Sequence, residues 1–157
     1  MMNIRKNLVM FLGLATCLFQ TLWAGNGEKA VPSSLDVYVC IGQSNMAGRA
    51  AMTPAVMDTL RHVYLLNDKG YFEEAVNPLN RYSTIRKEIS MQRLGPAYSF
   101  AKEMVRLTGK PLALVVNARG GTSINSWLKG GKDGYYEEVL ALSLIHISEP
   151  TRLALIS

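Results

Sequence analysis

The chain has 157 residues, 48% of them hydrophobic, with 17 basic against 12 acidic side chains and a formal net charge of +5. That length suits one domain with a sizeable core, and the apolar content excludes a disordered polypeptide as the main reading. The charges are interspersed and not gathered into a basic stripe, so a nucleic-acid partner gets little support.

At the N-terminus, Arg5 and Lys6 precede an apolar run from Leu8 to Trp23, followed by Ala24-Gly25-Asn26-Gly27. A basic start, an apolar middle and a small-residue exit read as a signal peptide over residues 1–24 and an exported protein, periplasmic or extracellular. Leu22 is larger than usual ahead of a cleavage site. A retained anchor is the alternative, since the run is nearly long enough to span a bilayer. Once the signal is cleaved, no stable membrane insertion is expected. Cys17, as Leu14-Ala15-Thr16-Cys17, weakly resembles a lipoprotein box but reads as a residue of the apolar run. A short polar linker, residues 25–35, follows.

Asp36 to Ile41 is rich in β-branched and aromatic residues and too short for a helix, so it predicts a buried strand. Cys40 within it reads as a small buried hydrophobe, without a disulfide partner once Cys17 is removed. Gly42 permits a sharp turn that leaves Ser44 at the strand's carboxyl end, where open α/β sheets gather ligands. Pro54 suits the first turn of a short segment to Leu60. Val63–Leu66 predicts a second strand, Asn67–Gly70 a turn, and Tyr71-Phe72 the return limb of a hairpin. His62, just before that strand, reads either as a strand-start residue or as a catalytic base. Residues 77–91 lack a clean period and read as a long surface excursion of the kind that often borders a binding site.

Gly95-Pro96 opens the clearest helix, Ala97 to Leu107, with its apolar residues largely on one face and Gly109 as its C-cap. Pro111 to Val116 is a strongly apolar strand of the buried parallel type. The loop Asn117-Ala-Arg-Gly-Gly-Thr-Ser-Ile124 follows, then Trp127, and residues 133–140 begin another helix. This alternation predicts a doubly wound α/β domain.

Two strand ends therefore carry candidate chemistry. Ser44 reads as a nucleophile or as the N-cap of a helix. The pattern departs from the nucleophile elbow G-x-S-x-G because Met46 stands at the second glycine position, and the closing Gly-Lys-Ser/Thr of a P-loop is absent. Gly120-Gly121 is either a tight loop or a backbone that approaches a ligand with its N–H groups turned outward. Trp127 reads as a sugar-stacking ring or as a core residue. A hydroxyl and free amides meeting across a crevice are what acyl transfer needs. No His/Cys/acid cluster has metal-ligand spacing, so neither a metal nor an organic cofactor is expected.

Gly42-Gln-Ser-Asn-Met46, Gly120-Gly-Thr-Ser-Ile124 and Trp127, with Leu94-Gly-Pro96 ahead of a helix, together resemble the sialate O-acetylesterase domain and carbohydrate esterase family 6 of the SGNH-hydrolase superfamily. The resemblance covers Asp36 to about Ala141. It implies a flavodoxin-like doubly wound parallel sheet, truncated on its C-terminal side, and a carbohydrate O-acetylesterase acting on acetylated plant polysaccharide or sialylated glycans. By that resemblance Ser44 is the nucleophile and the N–H groups of Ser44 and Gly121 form part of the oxyanion hole. Gln43, Asn45, Gly120, Thr122 and Trp127 are the expected substrate-binding residues. The family completes the oxyanion hole from a later Gln-Gly-Glu block, and the base and its carboxylate from an Asp-x-x-His block. Neither block is present here, so an inactive fragment is expected. The alternative is a non-catalytic carbohydrate-binding protein on the same fold.

Leu142-Ser-Leu-Ile-His-Ile-Ser-Glu-Pro-Thr-Arg152 resembles a transposase-based sequencing adaptor, which translates in frame to those eleven residues without a mismatch. Residues 142–157 are therefore expected to be a non-native tail, and His146 to carry no function. A strand over Leu142 to Ile147 is the alternative. Without signal and tail, 14 basic and 11 acidic residues remain, a net charge of +3.

Overall fold

The computed structural model describes residues 31–32, 34–145 and 152–156. The expected signal peptide, most of the linker and His146 lie outside the described residues. In chain order the elements are β1 (Asp36–Gly42), α1 (Ser44–Ala47), β2 (Val63–Leu66), β3 (Phe72–Glu74), α2 (Pro96–Thr108), β4 (Leu112–Ala118), α3 (Tyr135–Ile145) and β5 (Arg152–Ile156). Single 3-10 turns occur at Pro54–Val56, Ile89–Met91 and Ile124–Trp127.

The strands form one sheet in the order β3-β2-β4-β1-β5. β2, β4, β1 and β5 are parallel, and β3 returns antiparallel to β2 as the sequence predicted. β4 sits in the middle with all seven residues buried, which is why it reads as an unbroken apolar run.

Side chains alternate across the sheet with period two. Cys40, Val63, Leu65, Leu112, Leu114 and Val116 face one layer, where Ala97, Tyr98 and Ala101 of α2 cover them. Val37, Val39, Ile41, Tyr64, Leu66, Ala113 and Val115 face the other, covered by Trp127 and Val139. Helices on both faces make the sheet doubly wound. Burial of a Val or Leu contributes about 1.5–3 kcal/mol per side chain. The ion pairs Arg86–Glu88 and Arg106–Glu103 have well-exposed carboxylates and add little beside these layers.

α2 starts with Pro96 in its first turn and ends at Gly109, which takes the left-handed conformation (φ 65°) and donates its N–H to Val105 O at 2.9 Å. β4 runs two residues past its predicted end, because the buried Asn80 side chain acts there as a strand neighbour. Asn80 Nδ2 donates to Ala118 O (2.9 Å), and Ala118 N–H donates to Asn80 Oδ1 (2.8 Å). The segment 77–91 is thus more than a surface excursion, since Asn77, Leu79, Asn80 and Ser83 are all buried. The expected boundary at Ala141 falls inside α3, which runs through Ile145 and contradicts the alternative of a strand there. β5 pairs with the edge of β1 that β4 leaves free.

Burial pushes the Cys40 thiol up from its ordinary value of 9.0 to about 12. A raised acid pKa means that the folded state holds the proton more tightly. This contribution is complete below pH 9 and is lost as pH rises toward 12. In a Cys17→Ser background, iodoacetamide should label Cys40 only after urea unfolding, and the urea midpoint should fall as the buffer moves above pH 9. Rapid labelling of the native protein at pH 8 would contradict this burial.

Candidate active site

β1 ends at Gly42, whose φ of 141° turns the chain sharply into α1. Gln43, not Ser44, is the N-cap residue of this short helix, and no side chain caps it. Ser44 is the first helical residue and half-buried. Among the described residues nothing hydrogen-bonds its hydroxyl, so the capping role is not the one it plays.

β1 and β4 pair in register from Asp36–Leu112 to Gly42–Ala118. The pairing continues one step beyond the strands, where Arg119 N–H donates to Gly42 O at 3.0 Å. The next residue of β4's loop is thereby delivered to the Ser44 turn. A Cβ on Gly120 would lie 3.4 Å from Ser44 Cβ and 3.6 Å from Ser44 Cα. Gly121 has φ 82° and open space before it. Among the described residues, no hydrogen-bond partner takes the N–H of Gly120 or Gly121. Ser44 and the diglycine therefore lie side by side at the carboxyl ends of β1 and β4, the edge where open α/β sheets gather ligands.

A third segment closes the far side. Arg49 and Ala50 N–H both donate to Leu94 O at 3.1 Å, and Leu94 N–H returns to Ala50 O at 3.3 Å. Here backbone packs directly on backbone. A Cβ on Gly48 would lie 2.1 Å from Arg93 O, and one on Gly95 would lie 2.8 Å from Met46 O. The Leu94-Gly95-Pro96 motif therefore belongs to the site through main-chain contact.

Three residues that sequence reasoning passed over support this arrangement. Arg49 Nη1 donates to Gly48 O (2.7 Å) and Met91 O (2.6 Å), while its Nη2 lies over Gly120. Asn117 accepts from Ser83 Oγ at 2.6 Å and donates to Thr84 Oγ1 at 2.9 Å, tying the 77–91 segment to β4 beside Asn80. Position was the signal for Arg49, which directly follows the Ser44 motif. Asn80 and Asn117 gave none, since a buried amide and a loop amide look alike in sequence.

The remaining expected residues divide. Gln43 and Asn45 are exposed at the crevice. Thr122 is committed inside its own loop, donating to Arg119 O (2.9 Å) and accepting from Trp127 Nε1 (3.0 Å). Trp127 is 8% exposed, lies in the core beneath α3 and meets Tyr135 at 5.3 Å between ring centroids. That leaves it no open face for a sugar, so its place is that of a packing residue bracing the diglycine loop. Further along, Gly130 N–H donates to Glu137 Oε1 at 2.7 Å, which holds that carboxyl below its usual range and ties the turn to α3. His62 precedes β2 at the opposite end of the parallel strands from Ser44, with Leu112 N–H bonded to its carbonyl. It cannot serve as base to Ser44 from there. A cavity of about 580 Å³ lies elsewhere, lined by Leu66, Asn67, Tyr82, Thr84, Lys87 and Glu138 among others, and does not include Ser44 or the diglycine. Among the described residues no group of His, Cys, Asp and Glu is placed to hold a metal ion.

Residues 34–152 match the model of the family described as carbohydrate esterase, sialic acid-specific acetylesterase. The chain belongs to that family. No curated protein matches. An X-ray structure of a protein from Arabidopsis thaliana shares the fold of this acetylesterase-family chain, with a TM-score of 0.59 at 21% identity. The alignment covers 80% of this chain and 58% of the plant chain. The family member described here therefore spans less than two thirds of that protein's length.

The glycines of this esterase-family crevice are not equivalent. A methyl at Gly48 meets a fixed carbonyl and a φ of 91°, whereas a methyl at Gly120 meets the movable end of Arg49. Gly48→Ala should cost about 3 kcal/mol or more in urea denaturation. Gly120→Ala should cost about 1 kcal/mol, as Arg49 swings aside. Equal losses at the two positions would contradict the geometry.

Proposed function

We propose that the crevice is the nucleophile half of a carbohydrate O-acetylesterase, an exported serine hydrolase that releases acetate from acetylated sugars. One observation carries this reading: a serine hydroxyl lies beside a diglycine, and among the described residues neither that hydroxyl nor the diglycine amides have a hydrogen-bond partner. In the proposed reaction a base takes the Ser44 proton as Oγ attacks the acetyl carbonyl carbon. The oxyanion of the tetrahedral intermediate accepts hydrogen bonds from the N–H groups of Ser44 and Gly121. The sugar hydroxyl leaves with the base's proton, and water then attacks the acetyl-serine to give acetate and free Ser44.

The base and its carboxylate are proposed to come from outside residues 36–141. That proposal rests on the adaptor-like residues 142–152 and on the distance of His62 from the crevice. Without them a serine hydroxyl is a poor nucleophile near neutral pH. This favours a second reading for the 157-residue chain itself, a carbohydrate-binding module that keeps the crevice without turnover.

The gene read past codon 141 and expressed whole should hydrolyse p-nitrophenyl acetate, with Ser44→Ala lowering kcat by about three orders of magnitude or more. The 157-residue chain should show no turnover above background. Full activity in the Ser44→Ala enzyme would overturn the nucleophile assignment. Glycan binding without hydrolysis by the whole protein would favour the second reading.

A further inference from the structure

The space beside Gly120 is filled by a charge. A Cβ at position 120 would lie 2.5 Å from Arg49 Nη2 and 3.4 Å from Ser44 Cβ. Those two legs put Nη2 within about 6 Å of Ser44 Cβ, the range over which one charge biases another. Arg49 is exposed, yet it is not a loose side chain. Its Nη1 donates to Gly48 O at 2.7 Å and to Met91 O at 2.6 Å, carbonyls of two separate segments. The guanidinium is planar and always protonated, so fixing one corner also fixes the positive charge over Gly120.

The surroundings leave that charge uncancelled. Among the described residues the ion pairs are Arg86–Glu88 and Arg106–Glu103, so no carboxylate pairs with Arg49. α1 and β4 carry no titratable side chain, and Asp36 lies at the far end of β1. On α2, Glu103 is taken by Arg106 at 2.6 Å, and the other ionisable side chains there are Tyr98 and Lys102. Glu88, at the start of the 89–91 turn, is taken by Arg86 at 2.8 Å. The flanking loops add Arg93 and Arg119, both exposed.

Resting on the esterase reading above, we propose that Arg49 supplies a fixed positive charge to the reaction at Ser44. As the base takes the hydroxyl proton, Oγ bonds to the acetyl carbon and the carbonyl π pair moves onto its oxygen. Negative charge thus develops first on Oγ and then on that oxygen. A cation oriented in advance stabilises both without rearranging at the moment of reaction. The amides of Ser44 and Gly121 hold the oxyanion by contact, and Arg49 acts through its field. Gly120 is what admits it, since a side chain there would displace the guanidinium from beside Ser44.

The field is measurable in the 157-residue chain. In a Cys17→Ser background, Ser44→Cys places a thiol at the nucleophile position, while Cys40 stays buried and unreactive in the native protein. The rate of iodoacetamide labelling against pH gives the midpoint of thiolate formation. Arg49→Gln should raise that midpoint by about one pH unit, the low end for an opposite charge at this range because Arg49 is exposed. Arg49→Lys, which keeps the charge, should raise it by less. Gly120→Ala, which moves the guanidinium without deleting it, should raise it too. One comparison needs no second variant: relative to iodoacetamide, anionic iodoacetate should label the native thiol about threefold faster than the same thiol in urea, with the excess falling as salt rises. In the enzyme expressed from the gene read past codon 141, Arg49→Gln should lower kcat about tenfold and leave KM within about twofold. An unchanged midpoint or kcat in Arg49→Gln, as large a rise in Arg49→Lys as in Arg49→Gln, or a native labelling ratio no higher than the unfolded one overturns the charge role. Each leaves the esterase reading standing, because that reading is decided by turnover in the whole enzyme and its Ser44→Ala variant.

Discussion

Everything at the crevice depends on the parallel pairing of β1 with β4. Seven register pairs bring Gly42 opposite Ala118, and the Arg119–Gly42 hydrogen bond carries the pairing one residue past the strand ends. A parallel sheet sends both strands the same way, so the loops that follow leave from the same edge. Residues 44 and 120 are 76 positions apart in the chain, yet they become neighbours because the register allows no other outcome. Slipping that register by one residue would turn every buried valine and leucine of β4 to the opposite face. The packing of both layers therefore protects the alignment of the site.

The glycines translate this alignment into close approach. Gly48 and Gly95 let the segment before α2 lie directly on the exit of α1, so three loops meet without side chains between them. Gly120 gives the Arg49 guanidinium room beside Ser44. The crevice is thus walled largely by main chain, and its polar character comes from carbonyls and amides held by their neighbours.

Much of this was legible in the sequence. The apolar runs of β1, β2 and β4 are short, β-branched and bounded by Gly or Asn, and α2 carries both a proline start and a glycine stop. Those signals are local, so they predict elements well. The doubly wound arrangement and the pairing of Ser44 with the diglycine followed from the order of elements and from the motif resemblance. What escaped was set by tertiary contact. Asn80 extends β4 from a segment that reads as polar loop, and Arg49 clips two carbonyls 43 positions apart. Trp127 read either as a sugar-stacking ring or as a core residue, and Thr122 as a ligand contact by the motif resemblance; the two bond to each other and brace the loop from within. The strand β5 lies in a tail that was set aside because residues 142–152 resemble a translated sequencing adaptor.

The spacing of Ser44 and Gly120 can be measured chemically. A Cβ at position 120 would stand 3.4 Å from Ser44 Cβ, a tenth of an ångström inside the usual disulfide range, so a bridge needs only a small shift of the loop and of the Arg49 side chain beside it. In a Cys17→Ser background, the double variant Ser44→Cys/Gly120→Cys should form an intramolecular disulfide under mild oxidation. Mass spectrometry should then find the two peptides joined and Cys40 still free. If both new thiols stay unlinked in a chain that melts cooperatively, the two loops do not share a crevice and the account of the site is wrong.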